Sequence, residues 1–549
     1  MKGRIISLII LSLCCFLAKS QEGFFSHTYS YLELLALDGD ADRTFSTYKT
    51  LSDSKWVVND IKNDSWTNSI INLNDRRKGS IIVYGPELYT SYNSATPYGQ
   101  NDGLLWQGRG FNAYLTGGLR YEHKGFALTF KPDISFSSNQ KFAIIPPEIA
   151  FTSNTYIGKA QDYGYYGVRF VDAPQRFGNK SFIDFGLGDS EIRYSSKAFT
   201  VGLGTQYLWL GPAKINPIIH SNNAPSYPRF DIGVKPTSIK IKGIDFGKIE
   251  ARWYLGQLTE SKYFDTIQSN NYRLLSGMMV AYSPSFLKGF TVFANRNFLC
   301  PWVWKSLFSV GDLFYIPGNI HGGRDVWDQR ASVGFNYLLP SAGFEVYTEI
   351  GLNDYSPGLD GYIRYPFHSM VYTSGMRKSV SFELFKQPIK GELLLEVSNL
   401  EMSQDFQFQW SSTFYAHHEI KQGYTNRGQW LGAGNGTGGN SQYLGFKMFH
   451  PKGNVNVYVH RKNPDNDYIY QYSINTDNKN DEIASKIMHF KAVVASGISS
   501  TYFVKPNIIL FGGICYYVEH NPLYNSKSWS ETSKVPSVRL EAGVKININ

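Results

Sequence analysis

Glu345 and Glu349 stand four residues apart in an extended stretch, so they share one face of a strand. Paired carboxylates are the equipment of glycoside hydrolysis. The plainer expectation is a charged lumen wall, with Glu250 and Arg252 in the same role. His417-His418 is an adjacent pair; neighbours on a strand point to opposite faces, so no shared metal is expected. Gly434-Asn435-Gly436-Thr437-Gly438-Gly439 fits G-x-G-x-x-G. The stretch that follows, Gln442 to Phe449, is patterned as a strand and not as the helix whose amides would hold a pyrophosphate. There is no G-x-S-x-G elbow, H-E-x-x-H or EF-hand loop. The expectation is therefore a protein with no catalytic residues and no cofactor.

A second chemistry is concentrated in loop-like segments. Trp106, Gln107, Arg109 and Asn112 lie close together, as do Trp209, Asn222 and Asn223, and then His417, Tyr424 and Asn426. Aromatic faces against C–H patches, with amide and guanidinium donors to hydroxyls, are what a carbohydrate surface needs. These ten are the candidate sugar-binding residues. The same types also serve as girdle aromatics and turn formers, and the spacing alone leaves both roles open.

The elements that would position them are strands. Val538, Leu540, Ala542, Val544, Ile546 and Ile548 share one face, and Arg539, Glu541, Gly543, Lys545 and Asn547 the other. Ile249, Ala251, Trp253 and Leu255 oppose Glu250, Arg252, Tyr254 and Gly256 in the same way; so do Phe126, Leu128 and Phe130 against Ala127, Thr129 and Lys131. A charge facing lipid at the midplane would cost about 2–4 kcal/mol, so the charged rows face inward. Turn signals at His123-Lys124-Gly125, Phe286-Leu287-Lys288-Gly289 and Pro340-Ser341-Ala342-Gly343 link such runs into hairpins. About 16–18 antiparallel strands follow, an all-β transmembrane barrel closed around a polar interior. The mean hydropathy of −0.28 is compatible with this, because only alternate strand residues meet lipid.

Residues 1–20 have the pattern of a secretory signal: Lys2 and Arg4, an apolar run from Ile5 to Leu17, and a small-x-small site at Ala18-Lys19-Ser20. Export places the barrel, residues 76–549, in a Gram-negative outer membrane. Residues 21–75 are expected to be a partly helical periplasmic region or plug. Ser30-Tyr31-Leu32-Glu33 has capping-box form, and Leu51 and Val57 mark a second candidate helical stretch. Past the signal only Cys300 and Cys515 remain, too few for a disulfide framework, and whether they pair stays open. The net charge of +9 suits an ordinary basic exported protein, or attraction to lipopolysaccharide phosphates or an acidic polysaccharide. No nucleic-acid module is present.

Several loop motifs together resemble the Wzi family of capsule assembly outer-membrane proteins, in a divergent Bacteroidetes-type form. They are Asn101-Asp102-Gly103 through Trp106-Gln107-Gly108-Arg109-Gly110-Phe111-Asn112, then Asp172-Ala173-Pro174-Gln175-Arg176-Phe177-Gly178, and Gly211-Pro212. Ser221-Asn222-Asn223-Ala224-Pro225, Glu345 to Glu349 with Asn353-Asp354, and Gln422 to Asn426 continue the series. The chain departs from the family at Leu210, at Ser226-Tyr227-Pro228-Arg229 and at the terminal Asn549. The resemblance implies a monomeric, lectin-like barrel that anchors capsular or other surface polysaccharide without covalent chemistry. A porin or sugar-specific channel, with selectivity set by Glu250, Arg252, Glu345 and Glu349, is the alternative.

Overall fold

The computed structural model describes residues 27–53, 56–59, 66, 79–145, 171–302, 328–353, 360, 363–364, 370–384, 386–401, 414–417, 419–467, 490–524 and 533–547. The signal segment, His418 and Ile548 lie outside them. One closed antiparallel sheet dominates. Its first strands are β1 (Ser80–Asn93), β2 (Gly110–His123), β3 (Phe126–Phe130 with Asp133–Ser137), β4 (Phe182–Gly186 with Glu191–Ser195), β5 (Phe199–Gly204) and β6 (Arg229–Ile241). Then come β7 (Ile244–Thr259), β8 (Tyr272–Pro284), β9 (Phe290–Pro301), β10 (Asp328–Leu339), β11 (Phe344–Asn353) and β12 (Met370–Leu384). The last six are β13 (Gln387–Asn399), β14 (Asn440–His450), β15 (Gly453–Asn463), β16 (Ala492–Lys505), β17 (Ile508–His520) and β18 (Lys534–Ile546). β18 pairs with β1, which leaves no edge. The strand count is eighteen because β3 and β4 are each broken in two; Pro132, which has no N–H for the ladder, marks the break in β3.

Alternation decides which face is which. Phe126, Leu128 and Phe130 are 61%, 53% and 58% exposed, whereas Glu250, Arg252, Glu345 and Glu349 are at most 1% exposed. The apolar rows therefore form the outer wall, which in a barrel without edges is the surface that meets lipid. The three hairpin turns expected from sequence are all present, joining β2 to β3, β8 to β9 and β10 to β11. All turns at this end hold two to five residues, and β1 begins and β18 ends here. The connections at the other end are long; the shortest, 260–271, has twelve residues. Short turns face the periplasm and long loops the outside in barrels of this class. Trp106, Trp209, Asn222, His417 and Tyr424 all fall on the long-loop side.

The interior is only in part the polar lumen that alternation suggested: one side keeps a chamber of about 570 Å³ lined by groups such as Glu392, Lys447, Asn456 and Glu541, and the rest is packed. A helix, α1 (His27–Asp38), and the segment after it lie inside, joined by two short pairings. Ala41–Arg43 pairs with Trp56–Val58, and Tyr48–Lys49 with Trp209–Leu210 of the 205–228 loop. Around these a dry cluster forms from Tyr48, Leu208, Leu210, Ile218, Tyr254, Leu275, Phe414, Tyr415, Tyr424 and Leu431. The loops supply apolar side chains that alternation along the strands does not reveal. A second cluster stacks Trp66 on Tyr31 at 4.9 Å and against Phe449 and Phe503 of the wall.

Two local expectations need correction. α1 begins at His27, so Ser30 is inside the helix and is not its cap; Glu33 is drawn instead to Arg43, Lys214 and Arg377. No helix forms around Leu51 and Val57: Leu51 lies in a turn after Tyr48–Lys49, and Val57 in the short strand Trp56–Val58, because both flanking segments find strand partners. Cys300 and Cys515 stand as separate buried thiols and do not form a disulfide. The glycine run 434–439 is a loop that leads into strand β14, as its sequence context indicated.

Candidate functional site: a sealed barrel with a pocket at its mouth

The seal is built from wall carboxylates that take plug backbone. Glu396 accepts the amides of Lys214, Ile215 and Asn216 at 2.6, 3.1 and 2.7 Å, and the Tyr347 hydroxyl at 2.6 Å. Tyr347 reaches it across Gly375 of β12, where a Cβ would stand 2.4 Å from the tyrosine ring. Glu349 accepts Ile218 N–H at 3.1 Å and Ser332 Oγ at 2.7 Å; Glu250 accepts Ser46 N–H at 2.7 Å. Arg252 pairs with Asp53 at 3.0 Å. Glu345 binds Arg43 and Arg377, both at 2.5 Å, and Glu33 shares the same two cations. Burial pushes the Glu33 carboxyl up, but Arg43, Lys214 and Arg377 outweigh it and hold the group well below the usual carboxylate range. Glu250, Arg252, Glu345 and Glu349 thus point inward, yet none lines open water.

Above the seal, a cavity of about 250 Å³ opens among the long loops. Tyr98, Trp106, Phe142 and Trp430 supply rings; Gln100, Gln107, Gln175, Asn223 and Gln429 supply amides; Lys462, Lys491 and Glu519 supply charge. Trp106 packs on Phe177 at 4.8 Å, and its indole N–H has no acceptor among the described residues. Tyr98 stacks on Tyr517 at 4.4 Å with Lys462 Nζ 5.0 Å from its ring centre. Asn223 is held by Nδ2 donating to Trp430 O at 3.2 Å and Oδ1 accepting Asn101 N–H at 3.2 Å. Gln100 donates to Ile215 O and Asn216 Oδ1, so the pocket floor rests on the loop that Glu396 anchors. A site of this size with rings and a few placed polar groups suits a small polyhydroxylated unit.

Of the ten sugar-binding candidates, the structure brings Trp106, Gln107 and Asn223 into this pocket. Asn222 lines a larger inner chamber of about 570 Å³. The others support the loops. Trp209 is fully buried and donates to Ala213 O; Asn112, also fully buried, donates to Gly108 and Gly110 O. Tyr424 takes Asn297 Nδ2 in a dry core, and Asn426 bridges Thr259 N and Pro225 O. Arg109 donates to Ser94 and Lys141 O, and His417 accepts the Ile420 amide. Burial corrects the role of Trp209, Asn112, Tyr424 and Asn426 as surface contacts, because the same groups that suit sugar hydroxyls satisfy loop partners when the chain folds inward; Arg109 and His417 stay half-buried. Tyr98, Trp430, Gln175, Gln429 and Lys462 were missed as site residues. Gln175 lies inside the 172–178 motif, and Gln429 and Trp430 come soon after the Gln422 to Asn426 stretch, which was the available signal; Tyr98 and Lys462 gave none, because only closure of the barrel brings them together.

The 419–426 loop is fastened beside two acidic groups, and the Asp172 amide donates to Gln422 O at 2.9 Å. Asp172 accepts the amide and hydroxyl of Ser261, both at 2.6 Å, and Glu260 accepts Gln422 Nε2 at 2.6 Å. Burial, reinforced by neighbouring carboxylates, pushes Asp172 up to about 6 and Glu260 up to about 7. Folded, both keep protons that an unfolded chain releases near pH 4. Their contribution is therefore complete below about pH 4 and is lost as pH rises through 6–7. Amide exchange in 419–426, corrected for its intrinsic pH dependence, is expected to be faster at pH 8 than at pH 5. Equal protection would remove these groups from the fastening.

Comparison with known proteins agrees with this architecture. The family model described as capsule assembly protein Wzi matches residues 85–492. Among solved structures, the chain is similar to Wzi of Escherichia coli, with 12% identity, 84% of each chain covered and a TM-score of 0.55. That protein is described as an outer-membrane protein involved in group 1 capsule assembly and as a carbohydrate-binding β-barrel. OccAB4 of Acinetobacter baumannii is similar at 8% identity, covering 86% of this chain and all of that one, with a TM-score of 0.38. No curated protein sequence matches significantly. With the family model spanning most of the barrel that the strands build, this chain belongs to the Wzi family of capsule assembly outer-membrane proteins.

Proposed function

We propose that this barrel binds surface polysaccharide at its outer pocket and so retains capsule on the cell. The observation that carries the reading is the position of that pocket: rings and amides gather at the mouth of a barrel whose interior is partly occupied by its own chain. The description of the Escherichia coli relative as carbohydrate-binding supports the same chemistry. No bond is made or broken. Each contact is weak, and a polymer bound at many barrels gains avidity of about 10²–10⁴. A porin role is disfavoured because Glu250, Glu345 and Glu349 are occupied by plug backbone and plug cations.

The test is binding of the host's own surface polysaccharide to the purified barrel, beside capsule retention in a deletion strain. Trp106→Ala is expected to weaken binding by about thirty-fold, the scale of a central aromatic contact. Capsule retention unchanged by deletion, or polysaccharide binding unchanged by Trp106→Ala, would sink the reading.

A further inference from the structure

Seven of the eight tight turns at the short-turn end place a lysine in the turn or at its first flank: Lys124, Lys197, Lys242, Lys288, Lys386, Lys452 and Lys505. All seven are exposed, and among the described residues none has a carboxylate within ion-pair distance. Among the described residues of the barrel wall at this end the exposed carboxylates are Asp245 and Glu383. Because the turns run from β2–β3 round to β16–β17, the cations form a ring and not a patch. Outward apolar side chains sit beside them. Phe126 follows Lys124 at 61% exposure and Phe286 precedes Lys288 at 86%; Ile241 and Ile244 flank Lys242, and Val504 adjoins Lys505.

We propose that this lysine ring binds the anionic phospholipid headgroups of the leaflet at the short-turn end. A lysine at a hydrocarbon boundary lays its stem along the apolar surface and lifts its ammonium to headgroup level. Basic residues held at such a boundary attract anionic lipid, and the attraction decays within a Debye length. A protein partner docks on one side of a barrel, whereas a shell of lipid touches all of it, and the lysines follow the whole rim. The neighbouring apolar chains would be costly against a soluble acidic partner but are at home in lipid. The ring fixes the depth of the barrel, so that the mouth loops stand at a constant height outside. It is independent of what the outer pocket binds.

The test uses the full chain in bilayers, with tryptophan fluorescence quenched by brominated phosphatidylglycerol or brominated phosphatidylcholine. In 50 mM salt the wild type is expected to prefer phosphatidylglycerol by about five-fold, falling towards unity at 500 mM. The quadruple variant K124Q/K242Q/K288Q/K452Q is expected to lose the preference. The loop-end control K141Q/K180Q/K421Q/K534Q removes equal charge and is expected to keep it; all eight positions are exposed, and heat-modified gel mobility verifies that each barrel is closed. A wild-type ratio near one, or equal loss in both variants, overturns the proposal. So does ring-dependent binding of soluble polyglutamate without any lipid preference, which would assign the ring to an acidic protein.

Discussion

Arg377→Ala is expected to turn a quiet barrel into one that passes current in bursts. Arg377 is 1% exposed and joins three carboxylates: Glu33 of α1 at 2.8 Å, Glu345 of β11 at 2.5 Å and Glu392 of β13 at 2.8 Å. Arg43 and Lys214 remain for Glu33, and Arg43 for Glu345, but Glu392 has no other cation within ion-pair distance among the described residues. Removing one partner of a buried charge set costs about 3–5 kcal/mol, because the charges left behind stay desolvated. That cost falls on the plug. α1 and the 41–53 segment can leave the wall and take water, whereas the wall is held by its own ladder. The populated open state shows as fluctuating conductance in planar bilayers and as new protease cuts within 41–53. Arg377→Lys keeps the charge but gives up the fork that spans Glu33, Glu345 and Glu392, so partial sealing is expected. A variant as silent and as protease-resistant as the wild type would show that the ion cluster does not hold the plug.

The second large effect belongs to Glu396. Its carboxylate gathers three consecutive amides and one phenol, so Glu396→Ala leaves four donors without an acceptor at the centre of the barrel. Each orphaned donor costs about 1–3 kcal/mol, and even the low end of that range exceeds what a surface loop can absorb. The 205–228 loop is expected to lift, exposing Lys214 to trypsin. Glutamine does not repair this. One amide oxygen replaces two carboxylate oxygens, and the new NH₂ faces other donors, so Glu396→Gln is expected to lie between the wild type and Glu396→Ala. The damage reaches the outer pocket, because Gln100 and Asn101 both donate to the Ile215 carbonyl. Polysaccharide binding should fall with loop order although no pocket residue has changed. Binding that survives when the loop is cut at Lys214 would separate the pocket from its supposed floor.

Alternation alone determined the barrel. Glu250 and Arg252 face inward and Trp253 outward because a strand turns its side chains by half a revolution per residue, and lipid tolerates one row only. Turn chemistry fixed where strands end, as at Lys124-Gly125 and at the Pro340 to Gly343 corner. Trp106, Gln107 and Asn223 were singled out from their loop motifs and do meet in the outer pocket, although the same residue types at Trp209 and Asn426 became core. What alternation could not carry was the fate of the loops. Trp209, Tyr424 and Asn426 have the chemistry of sugar contacts and became core, because the 205–228 and 414–439 segments fold inward against Tyr48 and the wall. Nor could it set Glu345 and Glu33 on the shared cation Arg43, or bring Tyr98 and Lys462 beside Trp430. Arg43 to Glu345 and Tyr98 to Trp430 each span more than three hundred residues. A local pattern specifies which way a side chain points, but only closure of the barrel around its own chain decides what it meets there.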